Sequence, residues 1–269
     1  MFYLIVGVEK CGTTSLCRHF NLHPQISCFD EYNFFSKNKN YSHGIEKYMK
    51  TIKNKKPIYG DKSPSYFCII KAIDRIYENF PYVKLIIMLR EPISRLYSSF
   101  NFMYEIYKKQ INRDFTFNNI VNTYYTGKEI ENVEDLFMND NNTNYEKINI
   151  NDEIPKWTSI NMGFYINYIE YIYSKFPKEN IYICIQEEFL KNPLEEYNKL
   201  YKFLGAKELT QEEFKFDTSI NKGKYKEPIS DEDFKYTYNI YKEYNEKLYK
   251  FLGRRIESWD EIYQKYGLI

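Results

Sequence analysis

The stretch Phe2-Tyr-Leu-Ile-Val-Gly7, continued without a break by Val8-Glu-Lys-Cys-Gly-Thr-Thr14, decides the fold. Its first part is a short apolar run, which is typical of a strand buried on both faces of a parallel sheet. A glycine-containing turn follows, and residues 14–22 then predict a helix that ends before Pro24. A strand, a glycine turn and a helix in this order predict the first unit of an α/β domain.

The same alternation continues along the chain and predicts an α/β fold with a parallel sheet. No internal repeat or linker divides the sequence, so we expect a single domain over residues 1–269. Residues 126–152, rich in Asn, Asp and Glu, predict an exposed insertion or loop. Further strands are predicted at 58–62, 83–89 and 180–185, and further helices at 44–52, 71–80, 94–109, 164–176, 193–204 and 231–252.

Composition excludes several classes of protein. The 38 Lys and Arg residues balance 37 Asp and Glu residues, so the chain lacks the strong positive field of nucleic-acid binders and polybasic membrane proteins. We find no signal peptide and no apolar run near the roughly 20 residues of a membrane span. Five cysteines without a C-x-x-C pair predict reduced, buried thiols, and three histidines leave few candidates for a metal centre. These features predict a soluble intracellular protein.

The segment Gly7–Thr14 has the length and position of the phosphate loop G-x-x-x-x-G-K-[ST]. Backbone N–H groups in such a loop, with the helix N-terminus, form an anion site. However, Thr13 stands where a nucleoside triphosphatase has lysine, and Lys10 lies in the middle of the loop instead. No acidic Mg²⁺ partner follows the strand that ends at Arg90. The pattern favours a donor whose transferable group needs no Mg²⁺, such as a sulfuryl group. The alternatives are a P-loop kinase that uses ATP and Mg²⁺, and a glycine turn that binds nothing.

Arg90 follows a buried strand, at the sheet edge where open α/β folds bind ligands. Ser94 and Ser98 lie four residues apart and share one face of the next helix. A guanidinium beside hydroxyl groups is suited to bind a phosphate. The alternative is that Arg90 pairs with a carboxylate while the serines cap the helix.

Two further segments supply candidates for acid–base chemistry. Phe29-Asp-Glu-Tyr-Asn-Phe-Phe35 places two carboxylates among aromatic residues, and Glu31 is a candidate general base. Lys62 ends a predicted strand and is a candidate for stabilising negative charge. The alternatives are an ordinary acidic surface loop and a surface lysine beside Asp61.

Together these segments resemble the heparan sulfate sulfotransferases, above all the N-sulfotransferase domain and the glucosaminyl 3-O-sulfotransferases. The resemblance implies a P-loop-type three-layer α/β/α sandwich with a central parallel sheet. The matching motifs, in order, are Val8-Glu-Lys-Cys-Gly-Thr-Thr-Ser-Leu16, Asp30-Glu-Tyr-Asn-Phe-Phe35, Tyr41-Ser-His-Gly44, Asp61-Lys-Ser-Pro-Ser-Tyr-Phe67 and Leu89-Arg-Glu-Pro-Ile-Ser-Arg-Leu-Tyr-Ser98.

The resemblance also implies the ligands and the residue roles. The co-substrate is 3′-phosphoadenosine 5′-phosphosulfate (PAPS), the product is adenosine 3′,5′-bisphosphate, and no metal is expected. Glu31 is implied as general base, with Lys10 and Lys62 as the cations that stabilise charge. Arg90 and Ser98 are implied to bind the 3′-phosphate. The loop residues implied to bind the 5′-phosphosulfate are Lys10, Cys11, Gly12, Thr13, Thr14 and Ser15, and a late loop of Lys222, Gly223 and Lys224 is implied to close over the donor.

The chain departs from this family in two ways. It has no cysteine after Cys184, so the late loop lacks the family's cysteine-bridged hairpin, and it shows no membrane anchor. We expect a saccharide or glycoconjugate as acceptor and no nucleic-acid partner. A polysaccharide, glycolipid, small glycoside or tyrosine-bearing peptide stay open, as does a non-catalytic member that binds a nucleotide or glycan.

Overall fold

Five strands form one all-parallel sheet in the order β2-β3-β1-β4-β5. The computed structural model describes residues 1–53, 56–111, 116–118, 121, 158–216 and 227–269. The strands are β1 (Phe2–Gly7), β2 (Ile26–Asp30), β3 (Ile58–Lys62), β4 (Lys84–Leu89) and β5 (Ile181–Ile185).

Helices connect or follow the strands, and short 3₁₀ turns occur at Pro64–Cys68, Thr158–Gly163 and Lys178–Asn180. The helices are α1 (Thr13–Leu22), α2 (Asn38–Tyr41), α3 (Ile45–Ile52), α4 (Ile70–Asn79), α5 (Pro92–Ile111), α6 (Tyr165–Lys175), α7 (Gln186–Lys191), α8 (Pro193–Leu204), α9 (Asp231–Leu252) and α10 (Glu257–Lys265).

The chain divides into two compact units. The first takes residues from Met1–Arg90 and Glu170–Lys222 and contains the whole sheet. The second takes residues from Glu91–Ile169 and Gly223–Ile269. Its core includes Trp259, which is fully buried and lies 6.1 Å from the Tyr165 ring, and Tyr241, whose hydroxyl donates to the Ile160 carbonyl. The expectation of a single domain stays a prediction.

The central strands position the site. β1 and β4 are buried along most of their length, as their apolar sequences predict. β1 connects towards β2 on one side of the sheet, whereas β4 lies beside it on the other side. Adjacent strands whose connections run in opposite directions leave a crevice at their carboxyl ends. Lys62, at the end of β3, pairs with Ile5 of β1 and with Asp30 of β2, so it lies at that same edge.

The sequence predicted the α/β class with a central parallel sheet, and the structure confirms it. Strand β2 was not predicted: Ile26-Ser-Cys-Phe-Asp30 is an edge strand whose last two residues are exposed, so its apolar signal is weak. Helix α10 was missed as well. The predicted insertion at 126–152 lies outside the described residues.

All five cysteines are free and buried, as predicted. Within the described ranges, no helix has the length and apolar character that crossing a membrane requires.

Candidate active site

The glycine-containing loop joins β1 to α1 at the carboxyl edge of the sheet. Gly12, the residue before α1, has φ +87°, and a Cβ at this position would lie 2.8 Å from Nε2 of Gln186. Glycine therefore fits both the backbone angle and the space. Because glycine has no side chain, it supplies no acceptor to the first N–H groups of α1, and the first turn of α1 contains no acidic residue. This helix N-terminus is suited to an anion.

Hydrogen bonds from the end of β4 and from within the loop itself hold other loop residues in place. Lys10 has φ +67°, a left-handed conformation that non-glycine residues rarely adopt. Its carbonyl accepts a hydrogen bond from Nη1 of Arg90 at 3.3 Å, which ties the loop to the end of β4. The Cys11 side chain is buried, and its backbone N–H donates to the Val8 carbonyl at 3.2 Å. The backbone N–H of Cys11 therefore already has an acceptor within the loop.

Lys62 lies at the centre of the site. Its side chain is only 1% exposed, yet its Nζ lies 2.6 Å from Oδ1 of Asp30 and 2.6 Å from Oε1 of Glu31. The same Nζ lies 3.2 Å from Oγ1 of Thr14, at the start of α1. Burial acts to lower the pKa of Lys62, but hydrogen bonds with Asp30 and Glu31 outweigh it and raise the pKa above its ordinary value. Lys62 is therefore a buried, charged ammonium and not a surface lysine.

Glu31 begins a loop with unusual backbone geometry. Glu31 has φ +56° and Asn33 has φ +53°; with Lys10, they are the described non-glycine residues with positive φ. Such conformations cost free energy and persist where surrounding contacts fix them. The Glu31 side chain is 55% exposed and contacts the Lys62 ammonium. The aromatic surroundings expected from the sequence are thus replaced by an ion pair.

Asp61 lies beside Lys62 in β3 and is fully buried. Its carboxylate accepts hydrogen bonds from the hydroxyls of Tyr66 at 2.8 Å, Ser63 at 3.1 Å and Tyr48 at 3.2 Å. Burial raises the pKa of Asp61 to about 6, although these hydrogen bonds act in the opposite direction.

Arg90 belongs to the first unit and Ser98 to the second. Arg90 is partly exposed and donates a hydrogen bond to the Lys10 carbonyl in the loop between β1 and α1. Ser98 lies on α5 and is 7% exposed. The serines do not cap α5: buried Glu91 accepts from the backbone N–H groups of Ile93 and Ser94 at 3.0 and 2.7 Å. The predicted role of Arg90 and Ser98 in binding a 3′-phosphate stays a prediction.

Among the predicted residues, the structure brings together Lys62, Glu31 and Thr14, and separately Lys10 and Arg90. Thr13 is buried at the start of α1, and Ser15 is partly exposed. The predicted late loop of Lys222, Gly223 and Lys224 lies outside the described residues.

Sequence reasoning missed two members of the cluster. Asp30 binds Lys62 as closely as Glu31 does, and Asp61 anchors the neighbouring hydroxyls. The signal for Asp30 was the strand β2, whose register pairs Asp30 with Lys62. The signal for Asp61 was a carboxylate inside a predicted strand, where aspartate is uncommon.

Comparisons with known proteins agree with this architecture. The model of the sulfotransferase domain family matches residues 3–265. The crystal structure of a sulfotransferase from Alicyclobacillus acidocaldarius superposes with a TM-score of 0.67 at 20% identity, covering 96% of this chain and 98% of that one. This structural likeness supports the fold.

Curated relatives include enzymes that act on heparan sulfate. Human heparan sulfate glucosamine 3-O-sulfotransferase 5 is 30% identical over 205 residues, which cover 75% of this chain and 52% of that protein. The bifunctional heparan sulfate N-deacetylase/N-sulfotransferase 1 of Caenorhabditis briggsae is 26% identical over 224 residues, covering 81% of this chain and 23% of that protein. The chain thus spans about half the length of the first relative and less of the second. Since the family model covers nearly the whole chain, this protein belongs to the sulfotransferase domain family.

Proposed function

We propose that this chain transfers a sulfuryl group from PAPS to a hydroxyl or amine of a carbohydrate. The observation that carries the proposal is the position of Lys62. Its ammonium contacts both Glu31, the proposed base, and Thr14, a hydroxyl of the proposed donor loop. One buried cation therefore lies between the group that would accept a proton and the loop that would bind the donor.

The residues present fit the phosphates of PAPS. The N-terminus of α1, capped by Gly12 and without an acidic residue in its first turn, suits the 5′-phosphosulfate. Lys10, Cys11, Thr13, Thr14 and Ser15 complete this loop. Arg90, anchored to the Lys10 carbonyl, is our candidate for the 3′-phosphate together with Ser98. We assign Lys222, Gly223 and Lys224 to the same end of the donor on the family resemblance alone.

In the proposed reaction, Glu31 takes a proton from the acceptor hydroxyl or amine. The acceptor oxygen or nitrogen then forms a bond to sulfur while the bond between sulfur and the bridging oxygen of the donor breaks. Lys10 and Lys62 stabilise the negative charge that develops on the leaving side and on the sulfuryl oxygens. Adenosine 3′,5′-bisphosphate leaves, and the proton stays on Glu31 until solvent removes it.

A carbohydrate acceptor is supported by the two relatives named for heparan sulfate, one of which modifies a hydroxyl and the other an amine. We therefore propose testing heparan sulfate, N-deacetylated heparan sulfate, a neutral glycoside and a tyrosine-bearing peptide as acceptors.

The first test is calorimetric titration with adenosine 3′,5′-bisphosphate without metal, and separately with ATP and Mg²⁺. We expect binding of the bisphosphate, weakened by about 10-fold or more in Lys10→Ala and Arg90→Ala because each variant removes a charged donor. A surface variant, Lys250→Ala on α9, is the matched control. Binding of ATP with Mg²⁺ but not of the bisphosphate would replace this proposal with a kinase.

The second test separates an enzyme from a binding module. Glu31→Ala in an enzyme loses turnover and keeps affinity for the bisphosphate. If wild type shows no turnover with any of the four acceptors while it binds the bisphosphate, a non-catalytic role becomes the better account.

A further inference from the structure

We propose that Asp61 is a positioning residue: its buried carboxylate fixes the loop from Glu31 to Phe35 through Ser63 and Tyr66, and so sets where the Glu31 carboxylate lies. This inference rests on the proposed role of Glu31 as general base. Asp61 itself faces away from Lys62, since successive residues of a strand point to opposite faces of the sheet.

The contacts form two relays from Asp61 to the loop. The Ser63 hydroxyl donates to Asp61 and accepts from the backbone N–H of Asn33 at 3.0 Å. The Tyr66 hydroxyl donates to Asp61 and accepts from the backbone N–H of Phe35 at 3.4 Å. The Tyr32 backbone also acts to lower the pKa of the same carboxylate. The backbone N–H groups of Asn33 and Phe35 thus each bond to a hydroxyl that donates to the same buried carboxylate.

The donor-to-acceptor direction of these hydrogen bonds depends on the carboxylate of Asp61 being ionised. An ionised carboxylate only accepts, so each hydroxyl directs its single proton towards Asp61 and keeps its lone pairs for the loop N–H groups. A protonated Asp61 adds a donor to a site already filled with donors. At least one hydroxyl must then turn, and its oxygen no longer presents the same lone pair to the loop. Protonation therefore loosens the loop without removing any residue.

The loop needs this support because Glu31 and Asn33 both have left-handed backbone angles. One further contact, from the Glu31 N–H to the Lys62 carbonyl at 2.8 Å, is independent of Asp61. It provides an internal reference for the experiment, since it holds the same loop by a backbone bond alone.

The tyrosines and the cysteine around Asp61 stay neutral near pH 6. Tyr3 from β1, Cys28 from β2, Tyr48 from α3 and Tyr66 from the 3₁₀ turn all have pKa values raised above their ordinary values, chiefly by burial. Lys62, whose pKa is also raised, stays charged. Asp61 is therefore the group of this cluster whose ionisation changes near pH 6.

The test is amide hydrogen exchange of the full chain, resolved by residue with NMR, between pH 5 and pH 8. In wild type we expect protection factors of Asn33 and Phe35 to fall at least 10-fold below pH 6, while that of Glu31 stays constant. Ser63→Ala should lower protection of Asn33 at least 10-fold at pH 7.5. Tyr48→Phe is the matched control: it removes a hydroxyl from Asp61 that contacts no N–H of the loop, and should leave both protections unchanged.

Asp61→Asn extends the test. We expect it to lower protection of Asn33 and Phe35 at all pH values. It should also lower kcat for sulfation of the acceptor that the wild type uses, without changing KM for PAPS. Unchanged Asn33 protection in Ser63→Ala, or an equal loss across the β1 amides in both Ser63→Ala and Asp61→Asn, would overturn the proposal. Neither donor nor acceptor enters the exchange measurement, so failure of the proposed sulfuryl transfer, seen as absent bisphosphate binding, is a separate result.

Discussion

Asp61 and Lys62 are neighbours in β3, both are buried, and their opposite charges are satisfied in different ways. Asp61 accepts hydrogen bonds from neutral hydroxyls that are themselves buried. Lys62 contacts two carboxylates, Asp30 and Glu31, that are each more than half exposed. The hydroxyl partners of Asp61 therefore cannot hydrogen-bond to solvent instead, whereas the carboxylate partners of Lys62 can.

Because of this difference, Asp61 and Lys62 should have different roles in the same strand: Asp61 mainly stabilises the structure, and Lys62 mainly serves the proposed reaction. A buried carboxylate with fixed donors forms a network in which removal of one member leaves others unsatisfied. A buried ammonium with exposed partners can exchange them, so a substrate or a solvent molecule can take the place of either carboxylate. We infer that substitutions on the Lys62 side change activity more than stability, and substitutions on the Asp61 side do the reverse unless they act on the loop.

The largest expected effect compares the two exposed carboxylates. Glu31→Gln should lower kcat by about 10²–10⁴-fold, because an amide cannot take the acceptor proton. Asp30→Asn should lower kcat by about 10-fold or less, since Lys62 keeps its ion pair with Glu31. Steady-state sulfation of whichever of the four tested acceptors the wild type uses measures both, and bisphosphate affinity should stay within a few-fold in each. If Asp30→Asn has the larger effect, the base has been assigned to the wrong residue.

The second-largest effect is expected for Lys62→Met. We expect a loss of about 10²–10³ in kcat, comparable to removal of one charge-stabilising donor. The melting temperature should change by only a few degrees, since the exposed carboxylates of Asp30 and Glu31 become hydrated. Asp61→Leu is the matched substitution on the opposite side and should destabilise the fold far more, because it leaves buried hydroxyls without an acceptor. Calorimetric melting of the two variants tests this order, and a reversed order would contradict the comparison above.

Much of this arrangement could be predicted from the sequence because strong local signals mark it. The apolar run of β1 and the two glycines of its loop predicted both the fold class and the anion site. Lys62 and Glu31 were predicted individually, but their contact was not, since it depends on the register between β2 and β3. β2 carries too little apolar signal to be recognised alone. Asp61 was missed because its partners Tyr48, Ser63 and Tyr66 come together only in the folded chain.

The pH dependence of stability tests the Asp61 side directly. The folded pKa of about 6 exceeds the ordinary value of 3.8, so the folded state binds the proton more tightly. The contribution of Asp61 to stability is therefore complete below about pH 4 and is lost as pH rises to about 6. A shift of about 2 units corresponds to about 3 kcal/mol.

Urea unfolding of wild type and Asp61→Asn between pH 4 and pH 7 measures this contribution. We expect the stability of wild type relative to the variant to decrease over this range and to become constant above pH 7. A difference that is independent of pH would show that the carboxyl keeps its ordinary pKa. The local effect on the loop has the opposite sign, since protonation of Asp61 stabilises the whole fold while it lowers the protection of the Asn33 and Phe35 amides.

The smallest expected effect concerns the donor loop. Gly12→Ala and Gly253→Ala both place a Cβ on a left-handed backbone, with φ of +87° and +69°. Each should lower the free energy of unfolding by about 1–2 kcal/mol. Only at Gly12 does the new Cβ meet a neighbour, Nε2 of Gln186 at 2.8 Å, whereas nothing lies within 4 Å at Gly253. Gly12→Ala alone should therefore weaken bisphosphate binding, and adding Gln186→Ala should restore part of it. Equal binding by both single variants would mean that the loop tolerates displacement, and that the anion site does not depend on close approach at Gly12.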